Sequence, residues 1–222
     1  AAIGRCCGVS DGLSVQSAYF VYQGHFMRAV LTLLLLALPL SAFAADPAPV
    51  PSEKRSRWAT PVKQDANLYR IDDKLYRSEQ PVADDGDTIE KLGIKSVINL
   101  RYFDRNDNDT HLKNRGLTLL NRPLRSWRIK PEDIAQTLYL IEKQQQQGAV
   151  LIHCYHGADR TGLISGMYRI IYQGWTVADA KEEMLHGPYG YHSIWKNIAN
   201  LFTEKTVKQV RQHLAELRRG RK

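Results

Sequence analysis

The stretch AVLIHCYHGADRTGLISG, residues 149–166, decides the fold of this 222-residue chain. Its first four residues are apolar, which predicts a buried strand. After the polar string HCYHGADRTG, residues 153–162, apolar residues return at the spacing of one helix face: Leu163, Ile164, Met167, Ile170 and Ile171. In a strand, a tight loop and a helix that follow one another in this way, the N–H groups of the loop and the helix N-terminus converge on one point. The stretch therefore predicts an anion-binding loop.

The loop also carries the residue types that cleavage of a phosphate ester needs. A thiolate is the nucleophilic form of cysteine, and a helix N-terminus beside cationic groups favours it, so Cys154 is the candidate nucleophile. Arg160 follows after five intervening residues, and its planar guanidinium can hold two phosphate oxygens that gain charge in the transition state. Gly157 permits a backbone conformation that a side chain would forbid. Thr161 is expected to donate its hydroxyl to the Cys154 sulfur and ease its departure.

These roles define the predicted site. The catalytic candidates are Cys154, Arg160, Thr161 and Asp159, the last as a candidate acid. The predicted phosphate-binding residues are the whole loop: Cys154, Tyr155, His156, Gly157, Ala158, Asp159 and Arg160. His153 and Trp127 are predicted to support the site, and the His156 side chain is expected to point outward at the pocket mouth.

Four further segments, read together with the loop, carry a family resemblance. They are NLYR at residues 67–70, LYRSEQP at 75–81, GIKSVINL at 93–100, and MYRI at 167–170 followed by QGW at 173–175. With them the chain resembles the cysteine-based protein tyrosine phosphatase superfamily in its dual-specificity branch. It is most similar to bacterial periplasmic dual-specificity tyrosine phosphatases, over about residues 58–195.

The resemblance implies a two-step reaction on a phosphorylated protein or another phosphomonoester. Cys154 becomes a phosphocysteine, which water then hydrolyses, and neither a cofactor nor a metal is implied. The expected function is that of a protein tyrosine or dual-specificity phosphatase. The alternatives are a phosphatase for a phosphorylated lipid or inositol phosphate, and a phosphate-binding module without turnover.

The resemblance to the family does not extend to the general acid. The family supplies an aspartate from a loop that here reads NRPLRSWRIKP, residues 121–131, and contains no carboxylate. Trp127 stands near the expected position, where it either stacks on a substrate ring or anchors the loop. The candidates that remain are Asp159, the group Asp104, Asp107 and Asp109, and Asp133, which is also placed to stabilise a helix start after Pro131. The other alternative is that the enzyme has no general acid and prefers substrates whose leaving groups need little protonation.

The pattern along the chain predicts a single α/β domain with a central, mostly parallel sheet flanked by helices and a helical C-terminal part. Strands are predicted at residues 68–71, 74–77, 96–100, 117–120 and 149–152. Helices are predicted at 84–92, from Pro131 to about 147, and at 160–173, 177–185, 192–202 and 206–217.

The N-terminal region predicts export. Met27 and Arg28 precede an apolar run of twelve residues, 29–40, and the small-residue site Ala42-Phe43-Ala44. We interpret residues 27–44 as a signal peptide cleaved near Ala44, residues 1–26 as an untranslated or dispensable leader, 45–61 as a proline-rich flexible tether and 62–222 as the phosphatase-like domain. The predicted location is the periplasm or the exterior, and the alternative is an extension with an uncleaved anchor.

The formal net charge of +8 favours anionic partners. It predicts attraction of anionic substrates and a weak attraction to an anionic membrane surface. Nucleic acid is not expected, because the basic residues are scattered and no binding motif is present. A monomer is expected. Without the leader, Cys154 is the only cysteine, so no internal disulfide is predicted.

Overall fold

A computed structural model describes residues 51–220, apart from the side chain of Asp109. The predicted leader and signal peptide, the first part of the tether and the last two residues lie outside the described residues.

The described part of the chain alternates strands with helices. The strands are β1 (Thr60–Lys63), β2 (Leu68–Asp72), β3 (Leu75–Ser78), β4 (Ile94–Asn99), β5 (Thr118–Asn121) and β6 (Ala149–His153). The helices are α1 (Ser52–Ser56), α2 (Gly86–Lys91), α3 (Asp107–Leu112), α4 (Pro131–Gln144), α5 (Asp159–Tyr172), α6 (Val177–His186), α7 (Lys196–Ala199) and α8 (Glu204–Arg219). Short 3-10 helices occur at Gln64–Ala66, Ala83–Asp85 and Ser193–Trp195.

The strands form one sheet in the order β1-β2-β3-β6-β4-β5. The pairs β1/β2 and β2/β3 are antiparallel, whereas β3/β6, β6/β4 and β4/β5 are parallel. The predicted α/β fold with a mostly parallel sheet is therefore confirmed. His153 pairs with Ser78 on one side and with Asn99 on the other, so three parallel strands end together where β6 ends. In open α/β sheets, ligand sites form at this edge.

Both faces of the central strand are covered, which explains its continuous apolar sequence. All five residues of β6 are buried. Val150 and Ile152 belong to a core that also contains the apolar stripes of α4, α5 and α8, whereas Leu151 faces a second core with Ile89 of α2 and Leu112 of α3. Because side chains alternate along a strand, one short segment serves both cores. It is consequently a rigid support for the loop that follows.

One predicted helix differs from the structure. Residues 192–202 were expected to form a single helix, but they form a 3-10 turn at Ser193–Trp195, the short α7 and a turn. Tertiary contacts hold both parts of this segment, because Asp159 binds His192 and the Asn197 side chain donates to the Ser126 carbonyl at 2.7 Å. Such contacts override local helix propensity.

The predicted tether also differs from the structure in its second half. Residues 52–56 form α1, and Thr60 and Pro61 belong to β1. The cause is tertiary contact: Lys54 pairs with Asp179 of α6 at 3.1 Å, and the Ala59 N–H donates to Glu183 Oε1 at 2.9 Å. The folded unit therefore begins before residue 62.

Within residues 51–220, no helix combines the length and the hydropathy that crossing a membrane requires.

Candidate active site

The predicted strand, loop and helix are present. β6 ends at His153, α5 begins at Asp159, and residues 154–158 form the turn between them. Cys154 follows directly after β6, is 2% exposed and has a free thiol. The sheet therefore places this thiol at the edge where β3, β6 and β4 end together.

Four successive carbonyl groups of the loop are hydrogen-bonded by donors that surround it. The Cys154 carbonyl accepts from His153 Nδ1 at 3.1 Å, and the Tyr155 carbonyl accepts from the Gln80 N–H at 3.0 Å. The His156 carbonyl accepts from Asn67 Nδ2 at 2.8 Å, and the Gly157 carbonyl accepts from the Arg77 guanidinium at 2.7 Å. In a trans peptide, the N–H points away from the carbonyl of the same unit. The next four N–H groups, at residues 155–158, therefore face the other way, into the loop.

These N–H groups are available to a ligand. Within residues 51–220, no backbone or side-chain acceptor binds the N–H groups of residues 155–161. The last of them belong to the first turn of α5, where the helix dipole also favours an anion. The loop is therefore a cradle of donors with Cys154 at its base, as the sequence predicts for an anion site.

Gly157 is required by this geometry. Its φ is +70°, and a Cβ at this position would lie 2.6 Å from the backbone of Ser78 and Glu79. The loop thus packs against the end of β3 at a distance that only glycine allows.

Arg77 is a buried cation that the sequence analysis did not single out. Its side chain is 1% exposed, donates to the Gly157 carbonyl and lies 3.7 Å from the centre of the Tyr189 ring. Burial lowers the pKa of Arg77, while the neighbouring Tyr189, Glu183 and Cys154 act in the opposite direction. Arginine remains charged even so, which places a fixed positive charge within electrostatic range of Cys154. The sequence feature that could have identified Arg77 is its charge within LYRSEQP, one of the segments that carry the family resemblance.

His153 supports the loop as a neutral group. It is fully buried, and its Nδ1–H donates to the Cys154 carbonyl. Burial lowers the pKa of His153, and together with the charges of Arg101 and Arg160 it brings this pKa to about 4. The sequence predicts cations beside Cys154. Because His153 is neutral, the cations near the loop are Arg77 and Arg160.

Arg160 and Thr161 lie at the start of α5. Arg160 donates to the Leu100 carbonyl at 3.4 Å and is partly exposed. Thr161 is fully buried, and its Oγ1 has no hydrogen-bond partner among the described residues. The predicted hydrogen bond from Thr161 to the Cys154 sulfur is thus not formed in this structure, although the hydroxyl is free to donate.

Asp159 is held by His192, which the sequence predicted as the start of a helix and not as part of the site. Its two carboxylate oxygens accept from the backbone N–H and from Nδ1 of His192, each at 2.9 Å. The His192 side chain is 42% exposed, and its ring lies 4.8 Å from that of His156. The segment after α6 therefore reaches the rim of the catalytic loop.

The other acid candidates are engaged elsewhere. Asp104 and Asp107 both pair with Arg101, the former at 2.7 Å, and the Arg101 guanidinium lies 5.0 Å from the Tyr155 ring centre. Asp133 accepts from the Lys130 N–H at 3.0 Å at the start of α4, which is the stabilising role expected for it. The Asp109 side chain lies outside the described residues.

Aromatic side chains of the segment after β4 pack around Trp127. Trp127 is 55% exposed and packs edge-on against Tyr102 at 5.5 Å, with Phe103 stacked at 6.4 Å. Trp127 is therefore anchored by Tyr102 while part of its ring stays available. Tyr155 and His156 are also exposed, as expected for residues at the pocket mouth.

Comparison with known proteins agrees with this geometry. A model of the tyrosine phosphatase family matches residues 64–199. The dual specificity protein phosphatase TpbA, from two strains of Pseudomonas aeruginosa, is 35% identical over 164 residues, which cover 74% of this chain and 72% of TpbA.

The crystal structure of P. aeruginosa TpbA superposes with a TM-score of 0.66 at 31% identity, covering 72% of this chain and 97% of TpbA. A second TpbA structure, of a cysteine-to-serine variant in complex with phosphotyrosine, has the same TM-score and identity and covers 96% of that chain. The fold, the loop and the extent of these matches lead to one conclusion: the chain belongs to the tyrosine phosphatase family and is a cysteine-dependent phosphatase.

Proposed function

We propose that the protein removes phosphate from phosphotyrosine, and also from phosphoserine and phosphothreonine, in protein substrates through a phosphocysteine on Cys154. The observation that carries this proposal is the loop in which outward-bonded carbonyls turn a series of N–H groups toward one buried thiol. The similarity to TpbA, which is named a dual specificity phosphatase and was crystallised with phosphotyrosine, supports the substrate class.

The reaction proceeds in two displacements. The Cys154 thiolate attacks phosphorus, the bond to the tyrosine oxygen breaks, and that oxygen takes up a proton. Water then attacks phosphorus and gives its proton to the group that protonated the tyrosine oxygen, the bond between phosphorus and sulfur breaks, and inorganic phosphate leaves. The loop N–H groups and Arg160 bind the equatorial oxygens as these gain charge, and Thr161 donates its free hydroxyl to the departing sulfur.

The proton donor in this proposal is His192, oriented by Asp159. Asp159 holds Nδ1 of the imidazole, so the proton on Nε2 is the one that can be transferred. Asp159 itself is a poor candidate, because both of its oxygens are already bonded to His192. The arrangement supplies an acid although residues 121–131 contain no carboxylate.

The substrate class is tested with purified protein and a panel of phosphotyrosine, phosphoserine and phosphothreonine peptides and inositol phosphates, with phosphate release as the readout. We expect the highest kcat/KM on phosphotyrosine peptides. Arg160→Lys keeps the charge but loses the paired contact, so it should lower kcat/KM by roughly 10²-fold or more. Preferential hydrolysis of inositol phosphates would assign the enzyme to the alternative substrate class.

The acid is tested by comparing phenyl phosphate with p-nitrophenyl phosphate, whose leaving group needs little protonation. His192→Gln should lower turnover of phenyl phosphate by roughly 10²-fold and that of p-nitrophenyl phosphate much less. Asp159→Asn should show the same contrast in weaker form. Asp104→Asn, Asp107→Asn, Asp109→Asn and Asp133→Asn serve as comparisons. A leaving-group contrast in one of these variants, and not in His192→Gln, would transfer the role of acid to that aspartate.

We infer that the protein is exported to the periplasm or the exterior. The inference rests on the charged start, the apolar run and the small-residue site at residues 27–44. Mass spectrometry of protein recovered from the periplasm or medium should find an N-terminus at Ala45. A product confined to the cytoplasm, or one that retains residues 27–44, would contradict this location.

We also propose a monomer and a weak attraction to anionic membranes, the latter supported by the net charge of +8. Light scattering should give the mass of one chain. Binding to vesicles with anionic lipid should be weak and should disappear as salt is added.

A further inference from the structure

A cationic cavity lies beside the catalytic loop and is not used by the reaction described above. It has a volume of about 560 Å³ and lies between the segment after β4, the segment after β5 and the first turn of α4. Its charged lining consists of Arg105, Arg125, Arg128, Lys130, Glu132 and Asp133. Four cations therefore face two carboxylates.

The two carboxylates do not neutralise these cations. Asp133 accepts from the Lys130 backbone N–H and lies 3.6 Å from Arg122, which is outside the cavity lining. Glu132 lies 3.8 Å from His213. Among the described side chains, which do not include that of Asp109, no carboxylate oxygen lies within 4.0 Å of the side-chain nitrogens of the four cavity cations: Arg105, Arg125, Arg128 and Lys130. Their charge is available to an incoming group.

Two of the guanidinium groups are held in place by one ring. Arg105 and Arg125 lie 5.4 Å and 5.0 Å from the centre of Tyr102, and Arg105 also donates to the Tyr102 carbonyl at 3.0 Å. Such cation–π contacts restrict long side chains that would otherwise lose entropy on binding a ligand. The cavity is consequently partly pre-organised for an anion.

The cavity is also connected to the catalytic loop through a short segment. The Leu100 carbonyl accepts from Arg160 of the catalytic loop and from the N–H of Leu124, which follows β5. Arg101, one residue further, lies over the Tyr155 ring, and Tyr102 lines the cavity. A peptide bound with its phosphotyrosine in the loop can therefore extend past these residues toward the cavity.

We propose that this cavity binds a second anionic group of the substrate, either a carboxylate or a second phosphate near the phosphotyrosine. The proposal rests on the function proposed above and specifies its substrate as an acidic or multiply phosphorylated peptide. The forked donors of Arg125 and Arg128 suit both oxyanions. The anion binds outside the reacting centre and improves substrate affinity, so it should act on KM rather than on kcat.

The test compares three phosphotyrosine peptides that differ only in the flanking residues, which are glutamine, glutamate or phosphoserine. Dephosphorylation at tyrosine is followed by mass spectrometry. The wild type should favour the two anionic peptides over the glutamine peptide by roughly 2- to 5-fold in kcat/KM, through KM. The glutamate and phosphoserine peptides separate the two sources of charge.

The double variant Arg125→Ala/Arg128→Ala should remove most of this preference and leave turnover of p-nitrophenyl phosphate unchanged. The matched control is Lys205→Ala/Lys208→Ala, which removes the same charge from exposed positions on α8. The control should retain the preference. Equal loss in both double variants would show a long-range charge effect and overturn the proposal.

The experiment distinguishes a wrong cavity proposal from a wrong proposed function, because the two give different results. A wild type that hydrolyses p-nitrophenyl phosphate but treats the three peptides alike overturns the cavity proposal alone. A wild type without phosphatase activity contradicts the proposed function. In that case, calorimetric affinities of the three peptides for the wild type still decide the matter, because equal affinities overturn the cavity as well.

Discussion

Single residues determine whether the catalytic loop can exist. Gly157 combines a φ of +70° with an approach to the backbone of β3 that leaves no room for a side chain. His153 holds the first loop carbonyl from a fully buried position. One residue thus provides space for the loop, and the other provides a hydrogen bond to it.

Gly157→Ala should lower kcat/KM by roughly 10²-fold or more, because the methyl group forces the loop away from Ser78 and displaces its N–H groups. Gly174→Ala is the matched control, since Gly174 has the same φ of +70° but open space around its Cβ position. The control should lose some stability and keep its activity. Equal activity in the two variants would show that the close approach to β3 is unimportant.

His153 should make stability depend on pH. Its folded-state pKa of about 4 lies below the value of 6.5 for an exposed histidine, so the unfolded chain binds a proton in this range that the folded chain does not. Stability should consequently fall as the pH drops from about 6.5 to about 4, by a total of about 3 kcal/mol from this group. Urea unfolding of the wild type and of His153→Asn measures this, and the variant should have a flatter profile.

His186→Asn, at an exposed position, serves as the control and should retain the wild-type profile. The contribution of His153 is disproved if His153→Asn loses stability with falling pH as steeply as the wild type.

At the scale of elements, a buried polar network ties α5 and α6 to the catalytic loop. Glu183 of α6 pairs with Arg169 of α5 and accepts from the Tyr189 hydroxyl at 2.9 Å. Tyr189 in turn lies against Arg77, whose guanidinium holds Gly157. The network therefore links two helices to the peptide that turns the loop inward.

Glu183→Gln should destabilise the fold by about 3–5 kcal/mol, because it leaves Arg169 charged and unpaired in the interior. Glu182→Gln, one residue earlier, breaks only a partly exposed contact with Lys54 and should have little effect. Urea unfolding gives both values. If the two variants unfold alike, the buried pair does not carry the stability assigned to it.

At the scale of the whole molecule, the local pattern was sufficient for the central unit. β6, the loop and α5 follow from an apolar run and from apolar residues at helical spacing, and both patterns are local. β1 was not predicted from the sequence, because it is a short, mostly exposed edge strand that contains Pro61. α3 was not predicted either, because the residues of its sequence, DNDTHL, are typical of a turn.

The surroundings of the site were less accessible to prediction, because they arise from contacts between distant residues. Arg77 reaches the loop because β3 pairs with β6, and 80 positions separate it from Gly157. His192 reaches Asp159 only because the segment after α6 folds back. No periodicity in a single sequence indicates such contacts, although the charged residue within a buried strand was a usable signal for Arg77.

Replacement of the nucleophile tests the central claim most directly. Cys154→Ser leaves the loop N–H groups, Arg160 and Arg77 in place but removes the thiolate. Turnover of a phosphotyrosine peptide should fall by at least about 100-fold, while its dissociation constant, measured by calorimetry, should stay within a few-fold of the wild-type KM. Turnover above about one hundredth of the wild-type rate would contradict catalysis through a phosphocysteine on Cys154.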